Sequence, residues 1–190
     1  MSSERARTSV SAEASALDAA RAGRASGYEA LMAAHREAVF RFVRGLLNDE
    51  TDALDVTQEA FVAAFLTLAR FDPQRPFRPW ILRIARNKCR DFARRRAVRR
   101  MLAFALPMDA ARDMADPAPD PEQALVADDE VARIRAAIAS LPDRLKEPLV
   151  LCALEGMGQD EAARLLGTSR KAVETRIYRA RQKLSQALEG

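Results

Sequence analysis

The sequence predicts an all-α protein, two small helical domains joined by a flexible, acidic, proline-rich linker. Three observations predict it. Glycine is scarce, 7 of 190 residues, and alanine, leucine and arginine dominate, a composition that favours helix. Apolar residues recur at steps of three and four, and no stretch alternates with period two for long enough to build a sheet. Charge is segregated: residues 1–100 carry 19 Lys and Arg against 12 Asp and Glu, residues 101–130 carry 1 against 8, and residues 131–190 carry 11 against 7. Two basic blocks with an acidic connector suggest two polyanion-binding modules, or else solvated helix faces. The hydrophobic content of 48% supports real cores.

Residues 1–25, rich in Ser, Ala and Arg, read as a mobile tail or a frayed helix. From Tyr28 through Leu31, Met32, His35, Val39, Phe42, Val43 and Leu46, one apolar stripe marks a long helix. Asn48-Asp49 ends it and can cap the next. That second helix is expected over about Glu50–Arg70, with Leu54, Phe61, Phe65 and Leu68 inward and Asp52, Asp55, Gln58 and Glu59 opposite. The loop Phe71-Asp-Pro-Gln-Arg-Pro-Phe-Arg-Pro79 holds three prolines, which forbid a continuous helix. Pro79 suits the first turn of a third helix, with Trp80, Ile81, Ile84, Ala85 and Phe92 inward and Arg83, Arg86, Arg90 and Arg94 forming an outward basic stripe. The first domain spans 26–100.

Residues 101–127, with Asp116-Pro-Ala-Pro-Asp-Pro121, make a poor core and a good extended linker. The second domain spans 128–190. Val131, Ile134, Ile138 and Leu141 mark one helix; Leu145, Leu149 and Cys152 mark the next. Pro148 is tolerable there only if that helix starts near Asp143 or Arg144, because only a first turn has spare amides. The count expected is three helices, a linker and four helices.

The last thirty residues are the most specific. A short amphipathic helix from Gly158, a turn at Gly167 and an Arg-rich helix from Ser169 read as a helix-turn-helix, whose second helix enters the DNA major groove. Arg170 and Lys171 are placed to read guanine edges, Arg176 and Arg179 to hold phosphates, with Ser169, Glu174 and Thr175 on the same first turns. Ala163, Leu165, Leu166, Val173, Ile177 and Leu184 pack the unit. The other signal is the run Arg83–Arg100, with nine basic residues and one acid, preceded by Phe71, Phe77 and Trp80. Bases stack on rings while cations follow a backbone, so this block suits a single strand, although Phe71 and Trp80 also fit a core. The acidic face on the second helix is either a solvated N-terminus or a docking patch for a basic protein surface.

Other classes lose support. Cys89 and Cys152 stand far apart with no Cys-x-x-Cys, against a disulfide scaffold or zinc finger and in keeping with a reducing cytoplasm. His35 is the only histidine and falls on an apolar face, so it reads as a packed residue, and no histidine-based metal site is available. There is no apolar run of membrane-spanning length and no signal-peptide core. No glycine-rich phosphate loop or catalytic triad is present, so neither an enzyme nor a cofactor or metal is expected.

These blocks resemble the extracytoplasmic-function group of RNA polymerase sigma factors, within the sigma-70 family. Asp52-Ala-Leu-Asp-Val-Thr-Gln-Glu-Ala-Phe61 is similar to the polymerase-binding helix of region 2, and Phe71 through Asn87 to its promoter-melting and minus-ten-reading part. Leu141 through Leu184 resembles region 4. The resemblance implies a three- or four-helix bundle followed by a helix-turn-helix, and a cytoplasmic monomer without membrane insertion. Its implied function is to direct core RNA polymerase to promoters of a stress or envelope response. Asp52, Asp55, Gln58 and Glu59 would then bind core polymerase. Phe71, Arg75, Phe77, Arg78, Trp80, Arg83, Arg86, Asn87 and Arg90 would take the single-stranded minus-ten element. The helix from Ser169 would read the duplex minus-thirty-five element, and an anti-sigma factor would hold the chain in check. Flipping a base costs a few kcal/mol, offset by about 1–3 kcal/mol per stacked base. Asp109, Asp113, Asp116 and Asp120 of the linker are candidates to mimic nucleic acid in the RNA channel. Ser169-Arg-Lys-Ala-Val173 departs from the Gly-Thr-Val-Lys-like start common in relatives, and Pro148 is unusual within its helix. A self-sufficient DNA-binding regulator and an RNA-binding protein share parts of this pattern, but neither needs the acidic face.

Overall fold

A computed structural model of the chain describes residues 2–105 and 129–189. The four linker aspartates lie outside the described residues. The elements are α1 (Ser2–Arg21), α2 (Ala25–Leu47), α3 (Glu50–Leu66), a 3-10 turn (Leu68–Arg70) and α4 (Phe77–Ala105), then α5 (Asp129–Ser140), α6 (Asp143–Leu149), a π turn (Val150–Leu154), α7 (Gln159–Leu166) and α8 (Arg170–Glu189). No strand occurs among the described residues.

The expected junction at 48–49 forms as its chemistry requires. Asn48 takes the left-handed conformation, φ 58°, that closes α2, and its N–H donates to Arg44 O. Asp49 is extended, and its Oδ1 accepts from Asp52 N at 2.8 Å, capping α3. The inner face of α3 differs from the expectation. Ala53, Ala60 and Ala64 lie at its centre, so α3 packs closely, while Leu54 is displaced to the flank and is 38% exposed; Phe61 and Leu68 are buried.

The largest correction concerns residues 1–25. They do not form a mobile tail: α1 packs against α2, with Leu17 and Ala20 buried. Gly27 permits this approach, since a Cβ there would meet Ala20 N at 2.2 Å and Ala16 O at 2.7 Å. The first bundle thus has four long helices, and α4 runs to Ala105, beyond the expected end.

In the C-terminal domain, α6 starts at Asp143, as Pro148 was expected to require, yet Pro148 is the sixth residue and lies beyond the first turn. A proline there removes one i→i−4 bond and crowds the preceding turn. A π turn follows directly, closed by Glu155 N donating to Val150 O at 3.1 Å. The widening changes helical phase. Glu147 and Glu155, eight residues apart, would lie about 80° apart on a regular α-helix. A π turn advances only about 80° per residue, which brings them within about 20° of one face.

Candidate nucleic-acid interface

The helix-turn-helix forms as anticipated. Gly167, φ 66°, ends α7, and Thr168 N donates to Ala163 O. Ser169 caps α8, its Oγ accepting from Ala172 N at 3.2 Å. Ala163, Leu165, Leu166, Val173 and Ile177 are buried, and Leu184 is half-buried against them. Lys171, Glu174, Thr175 and Arg179 are exposed, and Arg176 is half-buried. Arg170 is exposed but engaged by Glu174 at 3.1 Å and Asp160 at 3.2 Å. The hydrogen bond it donates to Glu174, with Asp160 nearby, raises its pKa above the usual guanidinium value. Thr175 Oγ1 donates back to Lys171 O.

The expected aromatic platform is largely core. Phe71 and Phe77 are buried, and Trp80 is half-buried against both, with ring centroids at 4.9 and 5.4 Å. This tilted packing, with Phe71 edge-on to Phe77, holds the loop to the bundle and leaves both phenylalanines buried rather than open to a base. Arg75 is exposed and paired with Asp72, whose Oδ1 accepts from Gln74 N. Arg83 and Asn87 are exposed on α4.

Two carboxylates from the C-terminal domain hold Arg86 and Arg90 of the expected stripe, together with Arg78 and Arg41. Arg86 Nε donates to Glu147 Oε2 at 2.9 Å, and Arg90 Nε to Oε1 at 2.7 Å. Arg78 Nη2 donates to Glu155 Oε2 at 2.8 Å, while Arg41 of α2 approaches the same carboxylate through Nε and Nη2, each at 3.2 Å. The side chain of Glu155 is 0% exposed and that of Glu147 5%. The expectation of an open basic stripe on Arg83, Arg86, Arg90 and Arg94 is therefore corrected: Arg83 is open, Arg94 pairs with Asp91, and the middle pair is engaged.

Glu13 and Arg21 of α1 bracket the Phe71–Phe77 loop, a role absent from the sequence reading. Arg21 Nη2 donates to Phe71 O, and Glu13 Oε1 accepts from Phe77 N at 3.3 Å. Glu13 Oε2 also lies 3.0 Å from His35 Nε2, off the line of a well-aligned hydrogen bond. His35 packs on Phe77 at 5.1 Å. Burial lowers its pKa, against the raising effect of Glu13 and with a lesser lowering from Arg78. The sequence signal, a Glu and an Arg eight residues apart in a weakly amphipathic stretch, carried no target.

On α3, Asp55 and Gln58 are exposed. Asp52 pairs with Arg96 at 3.1 Å, and Glu59 with Arg95 at 3.3 Å and Lys88 at 3.6 Å. An open groove beside them is lined by Asp55, Glu59, Phe92, Arg95 and Val98. Among the described residues, no cluster of acidic, His or Cys side chains could hold a metal, and no helix is long and apolar enough to cross a membrane.

This pairing of a helical bundle with a downstream helix-turn-helix matches known families over most of the chain. The Sigma-70 region 2 model matches residues 31–99 and the Sigma-70, region 4 model residues 132–184. The RNA polymerase sigma factor CnrH of Cupriavidus metallidurans is 43% identical over 173 residues, covering 90% of this chain and 91% of its own. The ECF RNA polymerase sigma factor SigE of Mycolicibacterium smegmatis is 35% identical over 161 residues, 85% of this chain and 61% of its own. The structure of CnrH in complex with the cytosolic domain of CnrY superposes with a TM-score of 0.68 at 35% identity, covering 94% of this chain and 97% of that one. The chain belongs to the sigma-70 family of RNA polymerase sigma factors, in its extracytoplasmic-function group. Helix α1 precedes the stretch matched to region 2.

Proposed function

We propose that this chain is a dissociable, cytoplasmic transcription initiation factor that brings core RNA polymerase to promoters of a stress or envelope response. The observation that carries it is the order of two family blocks on one chain, region 2 at 31–99 and region 4 at 132–184. Neither a self-sufficient regulator nor an RNA-binding protein needs both.

Asp55 and Gln58, exposed at the start of α3, with Asp52 and Glu59 beside them, dock on core polymerase. The arginines that neutralise Asp52 and Glu59 keep the patch near electroneutral until a basic surface replaces them. Region 4 lays α8 in the major groove of the minus-thirty-five duplex: Lys171 and Arg170 face base edges, Arg176 and Arg179 face phosphates, and Ser169, Glu174 and Thr175 complete the reading surface.

Region 2 takes the minus-ten strand along α4. Arg75, Arg78, Arg83, Arg86 and Arg90 follow its phosphates, and Asn87 meets a base edge. Phe71 and Phe77 support the loop from beneath, leaving the half-exposed Trp80 as the ring nearest solvent. The protein's part is binding and positioning, and the chemistry of RNA synthesis belongs to the polymerase. The relative CnrH forms a complex with CnrY, and an anti-sigma factor is the expected cellular partner here as well.

Run-off transcription with core polymerase on pooled genomic promoter fragments tests this reading. Transcripts that appear only with the protein, from defined start sites, are expected, and aligning their upstream sequences gives both promoter elements. Duplex binding without core and no transcript would overturn it.

A further inference from the structure

Region 4 inserts two carboxylates, Glu147 and Glu155, among the arginines of region 2. Each sits between two guanidinium groups, Glu147 between Arg86 and Arg90, Glu155 between Arg41 and Arg78. Arg90 reaches both oxygens of Glu147, at 2.7 and 3.1 Å, and Arg41 both oxygens of Glu155. Arg78 adds a bond to the Glu155 carbonyl at 2.8 Å. A planar guanidinium fork binds a carboxylate and a phosphodiester by the same two-oxygen geometry. Buried carboxylates persist only where charged partners compensate lost water, and here each has two.

We propose that Arg41–Arg78 and Arg86–Arg90 are two phosphodiester-binding forks, filled in the closed chain by Glu155 and Glu147 acting as internal stand-ins for the phosphates of the promoter strand. The proposal rests on the functional reading above and extends it in two ways. It assigns Arg41, on α2, to the DNA surface, and it makes strand binding and domain closure mutually exclusive. One anion exchanges for another at each fork, so region 4 must leave before the strand can enter. Apparent affinity for the strand falls by the fraction of chains that are open, so a chain open one time in a hundred binds about a hundredfold more weakly than its open form.

The rest of the interface suits a closure that can be undone. Gly45 of α2 lies beneath the π turn, where a Cβ would meet Val150 Cγ1 at 2.9 Å and Leu154 Cδ1 at 3.3 Å. Lys146 Nζ donates to Leu46 O, near the C-terminal end of α2. The π turn sets the phase that lets both carboxylates reach region 2 together.

The test uses the full chain without polymerase. A fluorescently labelled single-stranded minus-ten oligonucleotide, from a promoter mapped by run-off transcription, reports affinity by anisotropy, and small-angle scattering reports closure. Two perturbations open the interface by different means. Glu147→Gln with Glu155→Gln removes the competing charge. Gly45→Ala crowds the π turn while leaving every charge in place and α2 with the better helix former. Both are expected to increase the radius of gyration and to raise strand affinity about tenfold or more. Adding Arg41→Ala to the double glutamine variant is expected to reduce that gain about threefold or more.

A chain that opens without gaining affinity overturns the exchange. So does a chain that neither opens nor gains, and so does an Arg41→Ala change without effect in the opened background. Wild-type run-off transcription, measured alongside, separates the two failures. Transcripts with no variant effect overturn the exchange alone, while no transcripts overturn the functional reading and the exchange with it.

Discussion

Replacing Glu13 tests whether α1 is an integral part of the first bundle that sets the Phe71–Phe77 loop. In Glu13→Ala two interactions are lost: the cap on Phe77 N at 3.3 Å and the carboxylate 3.0 Å from His35. Loss of a helix-capping acceptor costs about 1 kcal/mol. A half-exposed contact to a buried imidazole adds roughly 0.5–1 kcal/mol. The expected loss of about 1.5–2 kcal/mol corresponds to a fall of about 3–8 °C in Tm for a chain of this size. Glu13→Gln retains an oxygen for Phe77 N and loses only the charge, so at pH 8 it should lose less than half as much.

The pH dependence has a definite sign. Burial holds His35 below its ordinary value of 6.5. The unfolded chain therefore binds the proton before the folded one does. Stability from this group is complete above pH 6.5 and declines as pH falls through 6.5 toward the folded pKa. Glu13 raises the folded pKa and so softens this decline; removing it lowers the pKa further. The gap between wild type and Glu13→Gln should widen between pH 8 and pH 5.5. Thermal melts followed by circular dichroism at both pH values, with hydrogen exchange over residues 13–21, give the measurement. Both variants melting within about 1 °C of wild type at both pH values would refute the reasoning.

Three further outcomes are expected. Gly27→Ala places a methyl group against the α1 backbone and should detach that helix, costing about 1–3 kcal/mol and exposing residues 12–21 to limited proteolysis; an unchanged digestion pattern would count against the docked α1. Burial pushes the Cys89 thiol up to about 12, with Glu147 and Asp143 adding to it, whereas Cys152 is half-buried and less shifted. Iodoacetamide at pH 8 should therefore modify Cys152 well before Cys89, as read by mass spectrometry of tryptic peptides. Asp160→Ala removes one of the two carboxylates on Arg170 and should strengthen minus-thirty-five duplex binding modestly at low salt, with the gain gone by about 0.5 M salt; equal affinities at low salt would mean the pair does not compete with DNA.

Some elements were fully legible. The Asn48-Asp49 junction, the Gly167 turn and the Ser169 cap depend on contacts within a few residues, and short-range chemistry appears directly in sequence. The apolar stripes of α2 and α8 were read for the same reason, except that Met32 of α2 is exposed. The site residues were legible as types more than as states. Nine of the positions expected to face DNA are arginine or lysine, but an arginine that will grip a phosphate and one that grips a carboxylate 57 to 77 residues away have the same local signature. Phe77 illustrates the other ambiguity, since a ring beside arginines suits stacking and core equally; its ring packs on His35 of α2, a contact no local pattern assigned to it.

The sequence by itself determined the helices from α2 onward, the Asn48-Asp49 and Ser169 caps, the two-domain order and the family, because each is written in spacing and residue type over short distances. Tertiary structure alone decided that α1 docks, that a π turn follows Pro148, and that Glu147 and Glu155 reach Arg86, Arg90, Arg41 and Arg78. Those outcomes depend on which charged and apolar surfaces meet when distant segments pack, and burial then fixes which ion pairs are compensated and which side chains remain open to solvent.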